Sequence, residues 1–349
     1  MGTRTRWSAV ALCLVLGCTE ATNPDSPSTS PRASITALPV DPTISVRVLP
    51  NLDGNNITVT AFNRYDVVTG FQTTGTSSRI FRSQKAIEYF APPTGFQPGG
   101  QVSLSPAINS PGRVVGGLRA DTALRAFVWW HNGGTTLLEP TYPPIAGQAL
   151  GCGAQAMTDS DYVGGYCFQN SNVFIAEWRP DLSIFRNECC GVITAMTENR
   201  YLTGYALLST PQAFIWKPNS ALYTIIDPAE RHQTEGLAVN NNGWVAGVLL
   251  NFPDTQAVLW VPGQPMRILS HIGQATGVDA AGNVVGFHRD THTSPSVAFL
   301  WNFATGAHFL PGLPGGGATA AVAISNANRE ILGWAIDAHH LKHAVIWSF

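Results

Sequence analysis

An all-β fold, seven four-stranded antiparallel blades closed into a β-propeller, is predicted by three observations in this sequence of 349 residues. One phrase recurs, as RAFVW at 125–129, QAFIW at 212–216, QAVLW at 256–260, VAFLW at 297–301 and HAVIW at 343–347. A glycine that ends a short apolar run recurs with it, at Gly70, Gly116, Gly165, Gly204, Gly247, Gly286 and Gly333. The last repeat stops at Phe349 without a fourth strand, while an orphan strand, SVRVLPNLDG at 45–54, stands before the first.

The seven glycines lie 46, 49, 39, 43, 39 and 47 residues apart. A period in this range built of short strands is that of a propeller blade. Each unit opens on a small residue nine positions before its glycine: Ala61, Ala107, Ala156, Ala195, Ala238 and Gly277. That position suits an innermost strand, where blades converge and side chains have little room. In unit seven the small residue is Ala323, displaced by one, which suggests a bulge. Seven before the glycine stand Asn63, Asn109, Thr158, Thr197, Asn240, Asp279 and Asn326. Such a side chain bonds nearby backbone, and a glycine three residues later (Gly112, Gly243, Gly282) tolerates positive φ, so a hairpin turn is expected here. The AFxW phrase, β-branched and aromatic, reads as a third strand. Its last residue, Phe81, Trp129, Trp178, Trp216, Trp260, Trp301 or Trp347, is expected to pack its blade on the next. TTLLEP at 135–140, ALYTII at 221–226, MRILSH at 266–271 and AHFLPG at 307–312 give fourth strands. The 45–54 strand shares LPxL with the end of unit six and is expected to complete the last blade, closing the ring without a free edge. An open stack or a parallel β-helix would leave the split unit unexplained.

The pattern A-I-N-x-x-G-x-V-V-G followed by A-F-x-W, best seen in AINSPGRVVG…RAFVW and GVDAAGNVVG…VAFLW, resembles the HAF-repeat family of predicted extracellular bacterial proteins. The resemblance covers 57–349; unit one departs from it with SRIF at 78–81. It implies a propeller-like architecture and brings no catalytic residues.

Residues 1–17 read as a signal peptide: Arg4 and Arg6, then an apolar run from Trp7 to Leu16 that is far too short to span a bilayer. Val15-Leu16-Gly17-Cys18 resembles a lipoprotein lipobox, which implies a lipid on Cys18 and an envelope location, with plain secretion as the alternative; Leu16 departs from the small residue usual there. The segment 18–42, rich in proline and small polar residues, reads as a flexible linker, and 43–349 as the propeller. Only 12% of the chain is charged, with a net charge of −2 and no basic stripe, which argues against a nucleic-acid partner. Membrane contact is expected only through the anchor, and the chain is expected to be a monomer.

In an exported chain cysteines pair. If Met157 faces Tyr162 across the unit-three turn, Cys152 faces Cys167, and a disulfide between them is expected. Cys152–Cys190 competes with it, and a vicinal bridge between Cys189 and Cys190 is rare. His288 and His292, four residues apart, and His339, His340 and His343 in the corresponding loop of unit seven raise a metal site, against the simpler reading of polar loop residues. No nucleophile elbow, Walker loop or HExxH occurs. No catalytic residue, metal ligand or cofactor is therefore assigned. The function expected is a binding or scaffold module for a glycan or protein, with variable loops such as 72–78, 118–124, 251–255 and 287–296 on the two faces of a rigid frame. A glycan-active or other hydrolase or lyase at the channel mouth is the alternative, and a structural spacer a weaker third.

Overall fold

Seven four-stranded antiparallel sheets form in the order the repeats predict. Six blades are contiguous in sequence, spanning 57–89, 107–137, 150–189, 191–225, 233–270 and 273–309. Blade seven joins Thr319–Ile324, Glu330–Ile336 and Lys342–Ser348 to the strand Ser45–Asp53, in which Ser45 pairs with Ser348 and Val48 with Val345. The ring is thus closed by the N-terminal strand, as expected. The structure, a computed structural model, describes residues 40–75, 77–93, 105–120, 123–131, 134–138, 150–170, 172–220, 223–226, 232–251, 253–325 and 327–349. The chain divides into two units, Met1–Thr36 and Ala37–Phe349, and the described residues all belong to the second. The signal peptide, Cys18, Asn326 and most of the 18–42 linker lie outside the described residues. Val40, the first described, bridges to Phe309.

The inner hairpin of each blade explains its most regular residues. At Asn63, Asn109, Thr158, Thr197, Asn240 and Asp279 the backbone N–H donates to the carbonyl four residues on. The side-chain oxygen accepts from that same residue's N–H, so one residue closes the turn twice, once through its backbone and once through its side chain. The asparagines do more: Nδ2 of Asn63, Asn109 and Asn240 donates to the carbonyl of Asn109, Thr158 and Asp279, the turn residue of the following blade, at 2.9, 3.2 and 2.8 Å. Gly112, Gly243 and Gly282 take φ of +81°, +75° and +85°, as the turn requires.

Beyond the turn, the innermost strand bulges at Thr60, Gln155, Thr194, Leu237, Thr276 and Val322. The bulge brings the strand's carbonyl against the glycine of the second strand. A Cβ at Gly70, Gly165, Gly204, Gly247, Gly286 or Gly333 would overlap a carbonyl oxygen, that of Thr58, Gly153, Val192, Glu235, Gln274 or Ala320. Two expectations are corrected here. In unit seven the displaced Ala323 is not a special bulge: it pairs with Leu332 as Ala238 pairs with Ala246, and the extra residue sits in the turn, where Ser325 donates to Glu330 five residues on. In unit three Met157 pairs with Val163, not Tyr162; the bulge at Gln155 takes up the difference, so Cys152 still faces Cys167 and the disulfide forms. Cys190 is disulfide-bonded as well, and since Cys152 is taken the Cys152–Cys190 alternative is excluded.

Each of the seven hydrophobic clusters fills one gap between blades. Trp347 packs among Val285, Ala298 and Leu300 of blade six, and Trp216 against Ala156 and Ile175 of blade three. The recurring aromatic therefore turns to the preceding blade and not, as expected, to the next. Trp178, Trp216 and Trp347 are fully buried, which places the largest apolar side chains where the wedge is widest.

Candidate functional site

Antiparallel strands alternate in direction, so the blade has two unlike ends. The turns joining strands one to two and three to four lie on one face. The loops joining strands two to three, and the crossings to the next blade, lie on the other, here called the loop face. The loops 72–78, 118–124, 251–255 and 287–296 all join a second strand to a third. They accordingly share the loop face instead of dividing between two, although residues 76, 121, 122 and 252 lie outside the described residues.

An axial channel of about 580 Å3 runs between the innermost strands. Ala61, Ala107, Ala156, Ala195, Ala238, Gly277 and Ala323 all line it, as their small size predicted. The bulge residues line it too. Thr60, Thr194 and Thr276 spend their hydroxyls on the following blade, donating to Pro106, Gly236 and Ala321. Gln155 does not, and its Oε1 is buried without a hydrogen-bond partner in the channel wall.

Toward the loop face the wall changes character. Thr58 lines this end of the channel, and its counterparts by register are Gly153, Val192, Glu235, Gln274 and Ala320. Each pairs with the residue directly after the repeat glycine: Phe71, Tyr166, Tyr205, Val248, Phe287 and Trp334. Five of these are aromatic and half-buried, and for Tyr166, Tyr205, Phe287 and Trp334 the flanking residues of the strand are buried. The sequence carries the signal in the step after the glycine (TGF, GGY, TGY, VGF, LGW), which the glycine-centred alignment passed over.

The loop-face ends of these blades also carry perturbed titratable groups. Burial pushes the Tyr205 phenol up to about 12, helped by the charges of Glu235 and Tyr166. Burial likewise raises the Glu235 carboxyl above its ordinary range. Tyr166, Tyr205 and Glu235, from blades three, four and five, thus interact electrostatically across two blade junctions. On blade seven Lys342, its ammonium 5.9 Å from the Trp334 ring centre, is pushed down by burial. This set can stack flat apolar surface, exchange hydrogen bonds with hydroxyls, and favour the neutral form of a carboxyl above its ordinary range.

The five histidines do not converge. His288 Nε2 lies 3.1 Å from Asp290 and its Nδ1 2.8 Å from Ser270 Oγ; His292 meets Asp254 at 2.9 Å and His343 meets Asp337 at 3.0 Å. His339 uses its backbone N–H on the same Asp337, and His340 turns the loop at φ +62°. Among the described residues no three His, Cys, Asp or Glu side chains are grouped to hold a metal ion. Nor, among them, is any helix long and apolar enough to cross a membrane.

No family model matches the sequence, and no curated protein matches it. Solved structures do match the fold. A catalytically inactive virginiamycin B lyase from Staphylococcus aureus with quinupristin superposes with a TM-score of 0.55 at 11% identity, over 88% of this chain and 99% of that one. A streptogramin B lyase gives 0.50 at 11%, over 87% and 97%. The β-propeller domain of the Trilobed protease from Pyrococcus furiosus gives 0.50 at 10%, over 73% and 84%. At these identities the likeness is one of fold.

Proposed function

We propose that the chain is an exported, HAF-repeat-like binding module, held at the cell envelope by a lipid on Cys18, that takes a glycan at the loop-face mouth of its channel. The observation that carries this reading is the ring of half-buried aromatics at one register position in five blades, Phe71, Tyr166, Tyr205, Phe287 and Trp334. Aromatic faces offer flat apolar area to a sugar ring. Thr58, Gln274 and Glu235 add the few oriented polar groups that fix such a ligand. Loops on a rigid frame surround the site, where recognition tends to sit. The Cys152–Cys167 disulfide fits an oxidising compartment. A glycan array probed with the soluble chain from residue 35 tests the reading. Binding that Trp334→Ala abolishes and Leu341→Ala, on the exposed loop rim, leaves intact is the expected result. A silent array with a captured protein partner would overturn it. Cys18→Ser is expected to release the chain from the membrane fraction.

A second reading, a glycan-active or other hydrolase or lyase, is favoured by the Tyr166–Tyr205–Glu235 group, since a carboxyl pushed up by burial is shifted in the direction a general acid requires. It predicts turnover of an array ligand that Glu235→Gln eliminates without loss of binding.

A further inference from the structure

A second cleft, on the turn face, is independent of the channel mouth. It encloses about 430 Å3 between blades four and five, within the range of small-molecule sites. Ile215, Ile225, Ile226, Val245 and Met266 make its walls apolar. One side is a stiff turn, Val261-Pro262-Gly263-Gln264, in which the Gln264 N–H donates to the Val261 carbonyl at 3.0 Å and Gly263 takes φ +76°. Proline at the second position and glycine at the third pre-set that turn, and Pro265 stiffens its exit.

The floor holds Trp260, only 6% exposed, whose indole Nε1–H is buried without a hydrogen-bond partner. The same nitrogen is satisfied in sister blades. Trp216 donates to the Ser220 carbonyl at 3.0 Å, and Trp347 reaches blade six to donate to Pro311 at 2.8 Å. A buried donor left unpaired carries the full cost of its desolvation, so an acceptor in this cleft is favoured. Lys217, exposed at the rim, and Gln264 add further donors, and among the described residues no carboxylate lines the cleft. Indole and ammonium can only donate.

We propose that this cleft binds an amphipathic carboxylate, a short apolar chain whose carboxyl oxygens accept from Trp260 Nε1 and face the charge of Lys217. Titration calorimetry of the full chain with octanoate, and with 1-octanol as the uncharged counterpart, tests it. Saturable one-to-one binding of octanoate is expected, at least tenfold tighter than octanol. Trp260→Phe, which keeps the ring and removes the donor, is expected to weaken octanoate about tenfold, in line with the value of a hydrogen bond to a charged group. Trp216→Phe, whose nitrogen is already satisfied, is expected to leave affinity within about twofold. Lys217→Met, an exposed change that does not threaten folding, is expected to reduce the preference for octanoate over octanol. Absence of saturable binding, equal affinity for both probes, or octanoate affinity indifferent to Trp260→Phe and Lys217→Met would overturn the proposal. So would octanoate binding lost in Trp334→Ala, which would move the ligand to the channel mouth.

Discussion

Removal of the strand that closes the ring is the perturbation whose size the structure sets most directly. Ser45–Asp53 and the residue before it place three aliphatic side chains in the core, Ile44 and Leu49 at 6% exposure and Leu52 at 2%. Ile44 packs with Leu310, Val345 and Trp347; Leu49 and Leu52 pack with Leu332 and Ile346 of blade seven and Val59 and Phe81 of blade one. Each such side chain contributes ~1.5–3 kcal/mol on burial, so the three together account for ~5–9 kcal/mol. A whole domain is stable by only ~5–15 kcal/mol. A chain that begins at residue 55 is therefore expected to unfold, or to associate through the edge of Lys342–Ser348 laid bare. Point substitutions within the strand isolate the burial. Leu52→Ala is expected to cost ~2–5 kcal/mol. Val48→Ala, at a position 44% exposed on the same strand, is expected to stay within ~0.5 kcal/mol. Urea unfolding followed by tryptophan fluorescence reads both as midpoint shifts at constant slope. Equal midpoints for the two variants, or a wild-type midpoint for the chain from residue 55, would refute the closure argument.

Other expectations follow from single contacts. Glu177 is fully buried and meets Arg200 of the next blade at 2.9 and 3.0 Å; Arg200→Met takes the guanidinium from that buried carboxylate and is expected to cost ~3–5 kcal/mol in urea unfolding, most of it recovered when Glu177→Gln is added. Gly204→Ala puts a Cβ onto the Val192 carbonyl oxygen and is expected to lower the unfolding midpoint by more than any exposed alanine substitution, read by thermal melting. Replacing Cys152 and Cys167 by serine opens a loop of separation 15 and is expected to cost ~3 kcal/mol in the same assay. Glu235 is protonated more readily folded than unfolded, so its contribution is complete below the ordinary carboxylate range and is lost as pH rises through the raised folded value. Glu235→Gln should then flatten the fall in Tm as pH rises above the ordinary carboxylate range, and an unchanged slope would contradict the burial of that carboxyl.

The fold was legible because packing constraints repeat. Six of the seven glycines sit where a bulge drives a carbonyl against them, seven small residues face one axis, and an aromatic stands near the end of the third strand of every blade, so each constraint is written several times. What the sequence hid were relations between blades. The amide of Asn63 reads as a turn residue, and nothing local says that its nitrogen bonds Asn109 of the next blade. The direction in which Trp347 packs is equally non-local. The register of Cys152 and Cys167 came out right although Met157 does not face Tyr162, because the bulge at Gln155 shifts the pairing back by one. The site was legible only in part. The aromatics after the glycines are plain in the sequence once that column is read, whereas the group of Tyr166, Tyr205 and Glu235 exists only after three blades are set side by side.

A repeat also separates structure from chemistry by how its columns vary. Where nearly every blade keeps one residue type, as at the glycine, the axial alanine and the buried aromatic of the third strand, the geometry permits little else, and the column reports packing. Where blades agree in class but not identity, as in Phe71, Tyr166, Tyr205, Phe287 and Trp334, packing alone would have accepted the smaller residues that blades two and five use, Gly117 and Val248. Half-burial at that column leaves ring area exposed that the core does not need. Where a single blade departs from its sisters, the departure has a cost. Glu235 puts an ionisable group where five other blades have Thr, Gly, Val, Gln or Ala, and Trp260 leaves unpaired an indole nitrogen that Trp216 and Trp347 satisfy. Both departures disfavour the empty folded chain, through desolvation of a carboxyl in one case and of an N–H in the other. A ligand that supplies the missing partner offsets that cost, so these exceptions to the repeat mark places where binding gains.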